Sequence, residues 1–440
     1  MSKLAINGGP KVCKKPFPDQ LSFDREEIKA VNEVFKGKLL SNYRGNWQPE
    51  FWGGTAIQRL ERKFEDIFEV KHALAVNSCT SALQIACGAI GLEPGDEVIV
   101  TPWSMSCSAT APMIYGAIPV FADIEHDHFC LDPKDVEAKI TPRTKAIIAV
   151  DLFGQPFAKE ICRIAKKHNL YIIEDAAQAI GSFYSHKQGM IQEWAGSIGH
   201  IGCFSFTQGK HLTAGEGGMI TTNDEELWME CALIRNHAES VINGALDKGK
   251  IFDYNTNMVG FNMRMTEIQA AIVDKQLDKL FSFILERRYN VEEIQVALSD
   301  IPFIKNTTER KGAFHSYYVQ GFYYDQSKTA ALGINEGVHR DKFLAAVTAE
   351  LSGEKSRPSR PLIGGGYIKP LYRMPLFQER QHWSIRKKGN YKHGICPTAE
   401  KLWKDEYFLS LLHGLPLNDK HIKLISDAFH KVAENMGELR

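Results

Sequence analysis

Apolar positions along this chain follow two rhythms. Between residues 57 and 68, Ile57, Leu60, Phe64, Ile67 and Phe68 recur at helical spacing, which predicts an amphipathic helix. From residue 73 onward short apolar runs take over, at 73–76, 98–100, 119–122, 146–150 and 171–173. They are too short for helices and apolar throughout, the pattern of strands buried on both faces. Stretches between them, such as 81–90 and 159–168, are long enough for helices. This alternation predicts an α/β fold with a mostly parallel sheet flanked by helices. Two further strands are predicted at 203–206 and 219–222. They lie too close together for a helical crossover, so one neighbour is expected to run antiparallel.

The rhythm ends near Asp224. Residues 238–256 are polar and contain glycine, and read as a loop. Thr266 and Gln269 form a capping-box pattern before a helix carrying Met265, Ile268 and Ile272. Beyond it the chain reads as long helices and a few strands, one of them at 316–324. Residues 352–366, rich in Ser, Arg, Pro and Gly, read as loop. The expected organisation is a large α/β domain over 26–265 and a smaller α+β domain over 266–440. The packing of residues 1–25 stays open.

Composition narrows the partners. The 440 residues include 53 basic and 53 acidic side chains, so the basic excess that phosphate backbones demand is missing. No nucleic-acid partner is expected. No apolar run approaches the ~20 residues of a membrane span, and residues 1–10 lack a leader's basic and apolar blocks. The expectation is a cytoplasmic protein with no membrane contact. Nine cysteines, an odd number without a CxxC pair, read as reduced thiols. The histidines show no HExxH spacing, so no metal is expected.

Three segments could carry chemistry, each near the end of a predicted strand, where open α/β sheets place ligands. In 76–83, VNSCTSAL, small hydroxyl residues enter a helix. Free N–H groups at a helix start suit a phosphate, although Ser and Thr are also ordinary N-caps. In 173–178, IEDAAQ, alternation points Glu174 and Asp175 to opposite faces. An acid there could hold a cationic ring nitrogen, or simply cap a helix. In 204–218, FSFTQGKHLTAGEGG, Lys210 stands between a strand and a glycine cluster. Lysine amines form Schiff bases with carbonyls when their surroundings favour the neutral amine. Most lysines, however, are solvated.

Taken in order, these segments resemble the DegT/DnrJ/EryC1/StrS sugar aminotransferases, a branch of the fold-type I pyridoxal 5'-phosphate (PLP) enzymes. A fourth motif, Gly260-Phe261-Asn262-Met263-Arg264-Met265, strengthens the resemblance, which spans about 50–290. It implies an aspartate aminotransferase-like fold with PLP carried on Lys210, which also moves protons during catalysis. By the same resemblance Asp175 pairs with the pyridine nitrogen and Gln178 contacts the phenolic oxygen. Thr80, Ser81 and Ser205 hold the phosphate, and Asn262 completes that site from a second subunit. The expected assembly is thus a homodimer with active sites at its interface. Some relatives carry histidine in place of this lysine and act as dehydratases; Lys210 favours transamination.

Three departures stand out. Cys79 occupies a position that is usually glycine. The ring-stacking aromatic aligns with Met105, with Trp103 as an alternative. The usual Pro-x-His is replaced by Lys369-Pro370-Leu371-Tyr372, after a longer loop. His315 and Tyr317, with Tyr318, could line a sugar pocket or be core. The resemblance implies transfer of an amino group from an amino acid, glutamate in most relatives, to a keto-sugar, usually nucleotide-linked, in amino-sugar or polysaccharide biosynthesis. The alternatives are a keto-inositol aminotransferase using glutamine, a PLP-dependent sugar dehydratase, and a non-catalytic PLP-binding regulator.

Overall fold

The computed structural model describes residues 3–19, 23–45, 49–186, 191–238, 259–330, 337–351, 362–386 and 388–439. Seven strands build the central sheet. They are β1 (His72–Val76), β2 (Glu97–Val100), β3 (Ile118–Phe121), β4 (Thr144–Val150) and β5 (Tyr171–Asp175), then, after the hairpin β6 (Phe183–His186) and β7 (Ile191–Trp194), β8 (Ile201–Ser205) and β9 (Gly218–Thr222). Their order is β1-β9-β8-β5-β4-β2-β3. β2, β3, β4, β5 and β8 pair in parallel, while β9 runs antiparallel to both neighbours. The short β8–β9 connection forces that reversal, as expected from the sequence. One crossover departs from the helical pattern: β5 reaches β8 through the β6–β7 hairpin, which pairs with β11 (Ala313–Phe314).

Helices cover both faces. α1 (Arg25–Gly37) precedes α2 (Thr55–Phe68), which buries Ile57, Leu60, Phe64 and Phe68. α2 has no side-chain cap of its own. Glu267 supplies one from afar, its carboxylate accepting the Gly54 and Ala56 N–H groups at 3.0 and 2.8 Å. Glu267 opens the helix Glu267–Leu277, which begins at the expected Thr266–Gln269 capping box and packs on α1 and α2. α3 (Cys79–Ala89) and the helix Glu225–Arg235 cover the other face.

A second sheet, β10 (Ile304–Asn306), β12 (Gln320–Tyr324), β14 (Tyr407–Ser410) and β13 (Ile363–Gly365) in that order, is antiparallel throughout. Phe303, Phe322, Phe343, Phe408 and Phe429 form its core with the helices Arg340–Leu351 and Asp419–Glu434. Leu4 joins this core, so the N-terminal segment packs here.

Two expectations change. The strand expected at 316–324 starts only at Gln320: Tyr317 has φ 51°, and the Ser316 and Tyr318 N–H groups turn aside to Gly154 and Phe153 carbonyls. Within the loop expected at 352–366, residues 363–365 pair as β13; residues 352–361 lie outside the described residues, as do 239–256 of the loop expected at 238–256. Among the described residues no helix is long and apolar enough to cross a membrane.

Candidate active site

The carboxyl ends of β1, β5 and β8 converge. Asp175 ends β5 and is 3% exposed. Its carboxylate accepts the Ser108 hydroxyl at 2.7 Å and the Ala177 N–H at 3.2 Å, with the Cys79 thiol at 3.9 Å. Burial raises the Asp175 carboxyl, against these donors and the Lys210 ammonium, which favour its charged form. Burial and the neighbouring Asp175 push the Cys79 thiol well up, so it stays protonated and can donate. Cys79 is helical, the first residue of α3, which is how a side chain fits where glycine was expected.

Lys210 lies on the turn after β8, 7% exposed, its Nζ 4.1 Å from the centre of the Tyr318 ring. Among the described residues no carboxylate forms an ion pair with it. Gln178 is buried one turn beyond Asp175. Its Oε1 accepts the Phe153 N–H at 2.9 Å and its Nε2 donates to the Tyr367 hydroxyl at 3.2 Å.

Beside them lies the start of α3. Thr80 is exposed in the first helical turn and hydrogen-bonds Cys107. The Ser81 N–H is capped by Ser78 Oγ at 3.1 Å, and the Ser81 hydroxyl donates to Asn77 at 2.6 Å. Ser205 ends β8 half-buried. Gly218 lets β9 pass under this turn: a Cβ there would lie 2.6 Å from the Ser78 carbonyl carbon. Met105, 57% exposed, begins the turn that carries Ser108, whereas Trp103 is fully buried against Phe153, Tyr367 and Tyr407.

Other expected residues sit apart. Asn262 is exposed, bound to Arg264 Nε at 2.8 Å; its neighbour Met263 accepts the Asn77 N–H. His315 and Tyr317 are buried against each other, their ring centres 4.1 Å apart, and the Tyr317 hydroxyl donates to Glu309 at 2.8 Å. Burial and Arg288 hold His315 down, at about 3, and therefore neutral. The left-handed Tyr317 backbone sends Tyr318, rather than these two, toward Lys210.

On the opposite face of β5, Glu174 accepts N–H groups from Gly196, Ile198 and Gly199 at 2.6, 2.9 and 2.8 Å. It also hydrogen-bonds Asp151, whose carboxyl is pushed well up by burial and by Glu174. Glu174 already accepts three donors, which favours its charged form and leaves Asp151 the more strongly raised of the two.

The donor set suits a phosphorylated cationic ring carrying a carbonyl. A buried acid faces a buried lysine, and a helix start with an exposed threonine stands beside them. A family match agrees, covering residues 23–347. The chain belongs to the DegT/DnrJ/EryC1/StrS aminotransferase family. This is a family of PLP-dependent, fold-type I aminotransferases. Among its relatives is a Bacillus subtilis spore coat polysaccharide biosynthesis protein, SpsC, 32% identical over 90% of this chain and 92% of that one. The L-glutamine:2-deoxy-scyllo-inosose aminotransferase of Streptomyces kanamyceticus is 30% identical over 100% of this chain and 98% of its own length. The solved structure of DesI in the presence of its TDP-sugar product superposes with TM-score 0.78 at 25% identity, over 100% of this chain and 98% of that one.

Ser108, Phe153 and Tyr367 were not foreseen. Ser108 shows a weak signal, standing four residues from Ser104 in a run of small hydroxyls. Tyr367 shows none, being 189 positions from its partner Gln178.

Proposed function

We propose that this aminotransferase moves an amino group from L-glutamate to a nucleotide-linked keto-sugar, in amino-sugar or polysaccharide biosynthesis. The observation that carries the reading is the meeting of Lys210, Asp175 and Gln178 at one sheet edge. The TDP-sugar product in the DesI structure and the polysaccharide biosynthesis in the name of SpsC support this substrate class.

When bound, PLP supplies a carbonyl that condenses with amines and a ring that accepts the electron pair left on the substrate carbon when its proton is removed. Lys210 Nζ is its attachment point and, once released, the base that takes and returns that proton. Asp175, whose carboxylate accepts the Ser108 hydroxyl and the Ala177 N–H, would stabilise a protonated ring nitrogen. Gln178 would offer its carboxamide to the ring's phenolic oxygen. Thr80, Ser81, Ser205 and the first N–H groups of α3 hold the phosphate, with Asn262 of a second subunit completing the site in a homodimer. Met105, exposed beside this site, would supply a thioether able to pack on an aromatic ring. His315 and Tyr317 contribute to the sugar side by supporting Tyr318. The amine passes from donor to acceptor in two steps, the donor leaving as its 2-oxo acid.

A second reading, a keto-cyclitol acceptor with glutamine as donor, is favoured by the end-to-end match to the inosose enzyme. Purified protein loaded with PLP, reduced with borohydride and digested should carry the label on Lys210. Glutamate and glutamine are then compared as donors, and a TDP-linked keto-hexose and 2-deoxy-scyllo-inosose as acceptors. Lys210→Ala should bind PLP without a covalent link and lose at least ~10³-fold in turnover. Label on another lysine, or an active Lys210→Ala, would remove the reading.

A further inference from the structure

Tyr367 reaches the site from a segment far along the chain. The Gly366 N–H donates to the Tyr407 carbonyl at 2.7 Å on one side, and Trp103 Nε1 donates to the Ile368 carbonyl at 2.7 Å on the other. Gly366 has φ 62°, and a Cβ there would come within 2.6 Å of the Trp403 carbonyl oxygen, so this close turn requires glycine. The Tyr367 ring meets Phe153 and Trp103 edge-on, at 4.9 and 6.0 Å. Burial keeps its phenol neutral. Its position is therefore fixed by backbone hydrogen bonds and ring packing before any ligand arrives.

Gln178 is held from both ends. An isolated carboxamide can turn over and exchange its oxygen and nitrogen. Here the Phe153 N–H demands an acceptor, which sets Oε1 toward residue 153. That leaves Nε2 toward the Tyr367 oxygen. Phe153 itself is in the left-handed region, φ 62°.

We infer that Tyr367 is a positioning residue: with the Phe153 N–H it locks the Gln178 carboxamide so that its amino end faces the cofactor's phenolic oxygen. The inference rests on the placement of Gln178 beside that oxygen proposed above. Tyr367 accepts one of the two Nε2 protons, and the other stays available for the ring oxygen. A donor on that oxygen draws off negative charge and so makes the adjoining lysine-linked nitrogen less basic. Loosening the carboxamide reverses the effect.

The test uses the cofactor-loaded full chain and the pH titration of its visible absorption band, which needs no turnover. Gln178→Leu sets the scale. Tyr367→Phe keeps the ring and should melt as the wild type does. Its band midpoint should rise by roughly half to one pH unit, the worth of one hydrogen bond, in the same direction as in Gln178→Leu. The double variant should shift no further than Gln178→Leu alone. If Gln178→Leu moves the midpoint and Tyr367→Phe does not, Gln178 acts without Tyr367 and the inference is overturned. If Gln178→Leu itself moves nothing, the placement of Gln178 falls, and the inference with it.

Discussion

The carboxyl edge of the large sheet and the small antiparallel sheet both send side chains to the Lys210 site, yet different forces hold them. The large-sheet region carries its polarity inside. Arg235, 0% exposed, pairs with the buried Glu61 at 2.7 Å and donates to the Ala75 carbonyl, its guanidinium over the Tyr43 ring. Glu174 sits against the buried Asp151, and Asp175 sits among donors. The small sheet is an aromatic sandwich, with Phe322 stacked on Phe408 and Phe303 against Phe343. It delivers side chains to the site by turns, Tyr318 through the left-handed Tyr317 and Tyr367 through Gly366. Buried charges need specific partners and tie function to folding. Apolar packing tolerates adjustment, so the turns set the aim.

The strongest way to break the first region is Arg235→Met. It strands Glu61 in the core and should cost about 3–5 kcal/mol in chemical denaturation. A loss under ~1 kcal/mol, as for an exposed pair, would show that this ion pair does not anchor the large sheet.

Gly366→Ala sharpens the other side. A Cβ at φ 62° against the Trp403 carbonyl should cost about 1–3 kcal/mol. Because the strain is local to the Tyr367 turn, the absorption-band titration should move as in Tyr367→Phe. An unmoved titration alongside the stability loss would mean that the turn does not aim Tyr367.

Asp151→Asn tests whether this pair shares a proton. The Asp151 carboxyl is raised in the folded chain, so its contribution is full at low pH and is lost as pH rises through the folded value, above the usual carboxylate range. An amide can donate to Glu174 at every pH. The variant should therefore match the wild type in acid and gain on it with rising pH, by ~1 kcal/mol or more. Parallel stability–pH curves would show that Asp151 holds no such proton.

How far the sequence could be read follows the same division. The central strands, the reversal at β9, the α2 face and the Thr266 capping box were legible because each depends on neighbours within a few residues. Asp175, Gln178 and Lys210 were legible as motifs for the same reason: a strand end and the turn after it are written consecutively. The strand at 316–324 was misread at its start because apolar alternation continues through residues that turn aside. The pairing of Tyr318, rather than His315 or Tyr317, with Lys210 depends on that turn.

By itself the sequence determined the α/β class, the family and the chemical types at the strand ends, since periodicity and contiguous motifs are local properties. The tertiary structure alone decided which distant groups complete them. Glu267 caps α2 across 211 positions, and Ser108 reaches Asp175 across 67. Tyr367 is fixed on Gln178 by a glycine turn whose constraint is the Trp403 backbone. Such contacts arise only when separate segments are packed together, because a polar group removed from water must find its partners within the protein.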